Sequence, residues 1–223
     1  MANRGPIGNG LYAVCKALLW GALAALARVR YFNVPDIRKR RGGLLIASNH
    51  QSFLDPLLIG MALSGPIRYL ARRSLFGVPG LGRLIWALGA HPVTRGTVDS
   101  GAVKTVMRLL REGEAVLVFP EGTRSRNGSL GRFKPGAAAI AARCGVPLLP
   151  VCVEGAHECW PRSRTLPRPG RAAVAFGEPI ATEGMSPEEL TERLCDEIIA
   201  LRASLRDYLG RPGRRGSRRA AVR

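Results

Sequence analysis

The chain has 223 residues, of which 46 % are hydrophobic and 22 % charged, a balance that excludes wholesale disorder and suits one globular domain with a sizeable core. Lys and Arg number 34 against 16 Asp and Glu, a formal net charge of +18. That excess favours anionic partners: phosphates, acidic lipid surfaces or nucleic acid.

In chain order, the first expected element is helical. Leu11, Val14, Cys15, Leu18, Leu19, Ala22, Leu26 and Val29 recur at helical spacing between Leu11 and Arg30, with Lys16 and Trp20 elsewhere around the helix. The segment lacks the small-residue cleavage site of a secretion signal. It admits three placements: an anchor in the membrane interface, a spanning helix, or a helix packed on the core. Residues 1–40 are read as a membrane-associating helical segment. Beyond it, short apolar runs predict strands at Leu44–Ser48, Ile67–Ala71, His91–Val93, Ala115–Phe119, Leu148–Val153 and Ala172–Phe176. Helices are expected between them at Asp55–Leu63, Leu81–Leu88, Asp99–Arg111 and Pro135–Arg143. A long closing helix, Pro187–Tyr208, follows the start signal Ser186-Pro187-Glu188-Glu189.

The alternation predicts an α/β fold: one βα-rich domain over residues 41–209, around a mixed, largely parallel sheet. Residues 210–223 hold six arginines and no acid, and read as a basic disordered tail, either solubilising or tethering the protein to an anionic membrane. Five cysteines form no CxxC pair and no metal-ligand spacing. Their odd number argues against a closed disulfide framework and for a reducing, cytosolic setting, with the thiols as apolar filler.

The chemistry concentrates at strand ends. In Ser48-Asn49-His50-Gln51-Ser52-Phe53-Leu54-Asp55, His50 lies just past an apolar strand and Asp55 at the expected start of a helix. A separation of five does not align two side chains on one helix face, so the pair can meet only if the chain turns between them. Asp55 would then fix the imidazole tautomer and leave the other nitrogen to take a proton. Alone, the spacing favours a loop histidine and a helix-start aspartate.

A second segment, Val118-Phe119-Pro120-Glu121-Gly122-Thr123-Arg124-Ser125, also follows an apolar strand. Gly122 permits close backbone approach, Thr123 and Ser125 offer hydroxyls, and Arg124 supplies a fork matched to phosphate oxygens. Arg95 follows the strand His91–Val93, and Gly131-Arg132-Phe133-Lys134-Pro135-Gly136 precedes a helix, adding further cations.

Together with Val146-Pro147-Leu148-Leu149-Pro150-Val151, these blocks resemble, in order and approximate spacing, the four motifs of the glycerolipid acyltransferases. Residues 40 to 180 carry the likeness, which is to the lysophosphatidate acyltransferases in particular. The resemblance implies acyl transfer from acyl-CoA or acyl carrier protein to the free hydroxyl of a lysophospholipid, with no metal or organic cofactor. It makes His50 the base and Asp55 its partner, and assigns Glu121, Gly122, Thr123 and Arg124 to the acceptor-phosphate site, with Arg95 assisting. Arg72 stands where relatives often carry a lysine, a change that keeps the charge but alters the geometry. His91 and Thr94 depart from the usual apolar and acidic residues, which bears on the identity of the acceptor.

Such an enzyme works at an anionic membrane, with lysophospholipid and acyl thioester as partners, on the cytosolic face of the cytoplasmic membrane. Three rival readings share these residues: an acyltransferase for another lysolipid, a hydrolase using the same base, and a catalytically inactive basic binding protein. Binding to nucleic acid is not expected, since no such motif is present and aromatics make up only 6 % of the chain. A serine nucleophile at Ser52 is poorly spaced from His50, and direct transfer is preferred.

Overall fold

A computed structural model describes residues 27–93 and 100–211, together with Val14 and Gly21. Seven strands form one sheet: β1 (Ala27–Phe32), β2 (Leu44–Ser48), β3 (Ile67–Arg72), β4 (Ala90–Val93), β5 (Ala115–Val118), β6 (Leu148–Glu154) and β7 (Gly170–Phe176). Their spatial order is β1-β7-β6-β2-β5-β3-β4. Five neighbours, from β6 to β4, run parallel, while β7 pairs antiparallel with β6 and parallel with β1. The sheet is therefore mixed and largely parallel, as expected.

The helices are α1 (Asp55–Ala62), α2 (Arg73–Phe76), α3 (Leu81–Ala87), α4 (Ser100–Arg111), α5 (Gly136–Cys144), α6 (Ala156–Cys159) and α7 (Pro187–Gly210). Burial on both sides explains why the central strands read as continuous apolar runs. Along β2, Leu44 and Ile46 enter one core with Leu58 and Ile59 of α1, whereas Leu45 and Ala47 enter another with Leu109 of α4, Ala138 of α5 and Leu194 of α7. Successive side chains point to opposite faces, so one strand feeds both layers. Helix α7 starts where expected because Ser186 and Glu189 cap each other: Ser186 N–H donates to Glu189 Oε2 at 2.8 Å and Glu189 N–H to Ser186 Oγ at 3.2 Å.

One expectation fails. The helical stripe read through Arg30 runs into β1, where Ala27 to Phe32 pair in register with Gly170 to Ala175. Exposed Arg28 and Arg30 alternate with partly buried Val29 and Tyr31, a period of two that the preceding alanines and leucines mask. Burial pushes the Tyr31 hydroxyl up to about 12, and Phe32 meets Tyr208 of α7 edge-to-face at 5.0 Å. The rest of the expected N-terminal helix, apart from Val14 and Gly21, lies outside the described residues, as do Asp99, residues 212–223 of the basic tail, and Arg95. Among the described residues, no helix is long and apolar enough to cross a membrane.

Candidate active site

Parallel strands bring their C-terminal ends to one edge, the usual location of ligand sites in open α/β sheets. The turn after β2 reaches that edge first. Asn49 ends the strand by pairing its side-chain amide with the β6 backbone: Nδ2 donates to Val153 O and Val153 N–H donates to Oδ1, both at 2.8 Å. The chain then reverses, and Asp55 opens α1 with Pro56 beside it.

This reversal brings the dyad together. His50 Nδ1 lies 2.7 Å from Asp55 Oδ2, with the Asp55 side chain fully buried and the imidazole 15 % exposed. The same carboxylate oxygen accepts the N–H groups of Gln51 at 2.6 Å and Ser52 at 2.8 Å. Two backbone donors hold Asp55 in place, and an ionised carboxylate there places the imidazole proton on Nδ1, leaving Nε2 as an acceptor. Phe119, at the end of β5, stacks on the imidazole with ring centroids 3.9 Å apart and planes at 14°. The sequence reading put Phe119 at the end of a strand and gave it no role; its place just before residues 121–124 was the available signal.

The arginine-bearing loop after β5 is fastened to this turn. Glu121 accepts His50 N–H on Oε1 at 2.8 Å and Gly131 N–H on Oε2 at 2.9 Å, and Ser125 N–H donates to His50 O at 2.7 Å. Burial pushes the Glu121 carboxyl above the ordinary glutamate range, and the two N–H donors oppose that shift. A side chain at position 131 would begin 2.7 Å from Glu121 Oε2, so glycine is needed for the approach. Glu121, 7 % exposed, thus faces inward as a brace between two backbone segments.

The outward part of the loop is Gly122, Thr123 and Arg124. Gly122 adopts φ +71°, the left-handed conformation natural to glycine, and with Thr123 is exposed. The Arg124 guanidinium sits 3.5 Å from the centroid of the Phe53 ring, inside the dyad turn, and Phe53 in turn meets Trp160 at 5.2 Å. Lys134, from the basic stretch before α5, joins them: a side chain at Gly122 would begin 3.4 Å from Lys134 Nζ. Arg72 is exposed at the end of β3, on the same edge of the sheet.

Other nucleophiles fit the site poorly. Ser52 is fully buried, its Oγ donating to Trp160 O at 2.7 Å and accepting Leu54 N–H at 3.1 Å. Burial pushes the thiols of Cys152, Cys159 and Cys195 up, against thiolate formation. His91, on edge strand β4, has its pKa lowered by burial and by Arg68 and Arg108. Among the described residues, no group of three His, Cys, Asp or Glu is placed to hold a metal ion. What remains is a buried dyad able to accept a proton, beside a loop able to attract an anion.

That fold and site define a class. The family model described as Acyltransferase matches residues 28–154, more than half of the chain, and the protein belongs to that family. More particularly, it is similar to 1-acyl-sn-glycerol-3-phosphate acyltransferases. The chloroplastic one of Brassica napus is 35 % identical over 67 % of this chain and 42 % of its own length. That of Bacillus subtilis is 28 % identical over 88 % of this chain and 96 % of its own. The crystal structure of the 1-acyl-sn-glycerophosphate acyltransferase PlsC from Thermotoga maritima superposes with a TM-score of 0.77 at 27 % identity, covering 92 % of this chain and 82 % of that one. The chain spans less than two thirds of several curated relatives it matches, as the Brassica protein illustrates.

Proposed function

We propose that the protein transfers an acyl group from an acyl thioester, on coenzyme A or acyl carrier protein, to the free hydroxyl of 1-acylglycerol-3-phosphate, giving phosphatidate. The observation that carries this reading is the 2.7 Å pairing of His50 Nδ1 with buried Asp55, in a turn on which the Arg124 loop rests. An alcohol near neutral pH is a poor nucleophile, whereas a thioester is already a reactive acyl donor, so an oriented base addresses the main deficiency. His50 Nε2 takes the hydroxyl proton as the oxygen attacks the thioester carbonyl. The new C–O bond forms, the C–S bond breaks, and the imidazolium, stabilised by Asp55, returns its proton to the departing thiolate.

Atoms balance without a covalent enzyme intermediate and without a cofactor. Arg124, Gly122 and Thr123 attract the acceptor phosphate, Arg72 adds positive field at the same edge, Arg95 assists them, and Glu121 shapes the loop from within. The names of the relatives, including the Bacillus protein matched over nearly its full length, support the choice of acceptor. The basic excess and the N-terminal apolar stripe hold the protein on the cytosolic face of an anionic bilayer, each basic group near the surface contributing about 1 kcal/mol.

Purified protein in detergent, given labelled acyl-CoA and a panel of lysolipids, tests the assignment. Label should appear in phosphatidate, with lysophosphatidate the preferred acceptor. Label only in free fatty acid would assign hydrolysis, preference for another lysolipid would move the acceptor, and binding without turnover would leave a binding protein.

A further inference from the structure

Helix α7 buries Leu190, Leu194 and Ile198 at intervals of four, and the next position in that series is Arg202. An arginine in an apolar stripe is costly unless its charge and donors are matched. Here they are. Arg202 Nε donates to Glu154 Oε2 at 2.7 Å, and Nη2 donates to Gly128 O. Gln51 Nε2 donates to the same two acceptors, each at 3.0 Å. Two donors therefore share two acceptors in a closed ring, with Gln51, Glu154 and Arg202 all buried. Arg206 reaches the other Glu154 oxygen at 3.0 Å from a much more exposed position.

Each member of the ring belongs to a different part of the site. Gln51 is the residue after His50, and its own N–H holds Asp55 Oδ2. Gly128 lies in the loop that carries Arg124, Glu154 is the last residue of β6, and Arg202 is on α7, beyond the end of the family match at residue 154. Among the described residues, Gln51 Oε1 is buried with no hydrogen-bond partner, so the amide is held there through its donor side. Loss of the Arg202 fork would leave Glu154 with Gln51 and a half-solvated arginine, and Gly128 O with one donor.

We propose that Arg202 is a positioning residue for catalysis: through Glu154 and Gly128 it fixes Gln51, and so the His50–Asp55 turn, against the Arg124 loop. The kinetic part of this inference rests on the acyltransferase reading above. The C-terminal helix then does more than cover the sheet, because it sets the geometry between the base and the anion-binding loop. Lysine cannot replace it fully, since a single ammonium lacks the planar fork that reaches both acceptors.

The test compares Arg202→Met, which keeps an unbranched stem, Arg202→Lys, and the outer control Arg206→Met, all in the full-length protein. Steady-state transfer from acyl-CoA to lysophosphatidate is measured beside thermal unfolding and the NMR resonance of the His50 Nδ1 proton. Arg202→Met should lower kcat at least tenfold and raise the acceptor KM, while the donor KM stays within twofold. The His50 proton signal should broaden or vanish, Arg202→Lys should fall between, and Arg206→Met should stay within threefold of wild type. Wild-type kcat and an unchanged His50 signal in folded Arg202→Met would overturn the proposal. Should that variant fail to fold, Arg202→Lys decides: a wild-type kcat and His50 signal there would overturn it equally. If the unmodified protein transfers no acyl group, the functional assignment fails while the His50 resonance still tests the positioning.

Discussion

The two turns at the C-terminal edge of the sheet are built in opposite ways. After β2, each polar side chain of residues 49–52 and 55 is bound to backbone or to a buried partner, and Asp55 Oδ2 alone takes three contacts. After β5, Glu121 is locked in that manner, while Gly122 and Thr123 are exposed and the Arg124 guanidinium lies on the Phe53 ring. A proton acceptor gains from preorganisation, because misplacing it by a fraction of an ångström costs rate. A phosphate-binding loop tolerates adjustment, because charge attraction falls off gradually with distance. The contrast fits the proposed function, with chemistry at the first turn and substrate capture at the second.

Substitutions that act on one turn but not the other sharpen this division. The largest effect is expected from Asp55→Asn. The replacement still offers one acceptor oxygen to the backbone, but it removes the charge that stabilises an imidazolium and unsettles the tautomer. Turnover should fall roughly 10²–10⁴-fold with substrate KM values little changed, as steady-state kinetics on lysophosphatidate would show. Next is Arg124→Ala, which removes a charge-assisted contact worth about 1.5–3 kcal/mol, or roughly a 10–100-fold rise in the acceptor KM. A raised donor KM with the acceptor KM unchanged would instead assign the loop to the thioester. The smallest is Phe53→Leu, which takes away the ring beneath Arg124. A partly exposed cation–π contact contributes about 0.5–1 kcal/mol, so the acceptor KM should rise about two- to fivefold. A larger loss in kcat than in KM would mean that Phe53 belongs to the dyad turn rather than to substrate capture.

Much of this layout was legible because it is local. Strand β2 fell at its expected bounds, since its buried positions carry an unbroken apolar run, Leu44 to Ala47, ending on buried Ser48. A strand, a turn and a helix start within eight residues allowed His50 and Asp55 to meet, and the second segment with the family resemblance favoured reading them as a pair. The arginine loop followed from glycine, hydroxyls and a guanidinium packed into four. What escaped depends on contacts distant in sequence or on competing local signals. Strand β1 was hidden by helix-favouring alanines and leucines ahead of an Arg-Val-Arg-Tyr alternation. Glu121 read as part of the phosphate site because it sits among the loop residues, yet its carboxylate is taken up by two backbone N–H groups, one of them 71 residues back in the chain. The ring of Gln51, Gly128, Glu154 and Arg202 joins residues up to 151 apart in the numbering. Only Arg202, polar at an apolar interval of α7, left a trace of it in the sequence.

The central claim is that His50 is the base and Asp55 its support. The most direct measurement is the rate of acyl transfer to lysophosphatidate by folded His50→Ala at saturating substrates. At least a hundredfold loss of kcat, of the order expected for removing a general base, with both KM values near wild type, is the predicted result. A kcat close to wild type would contradict it.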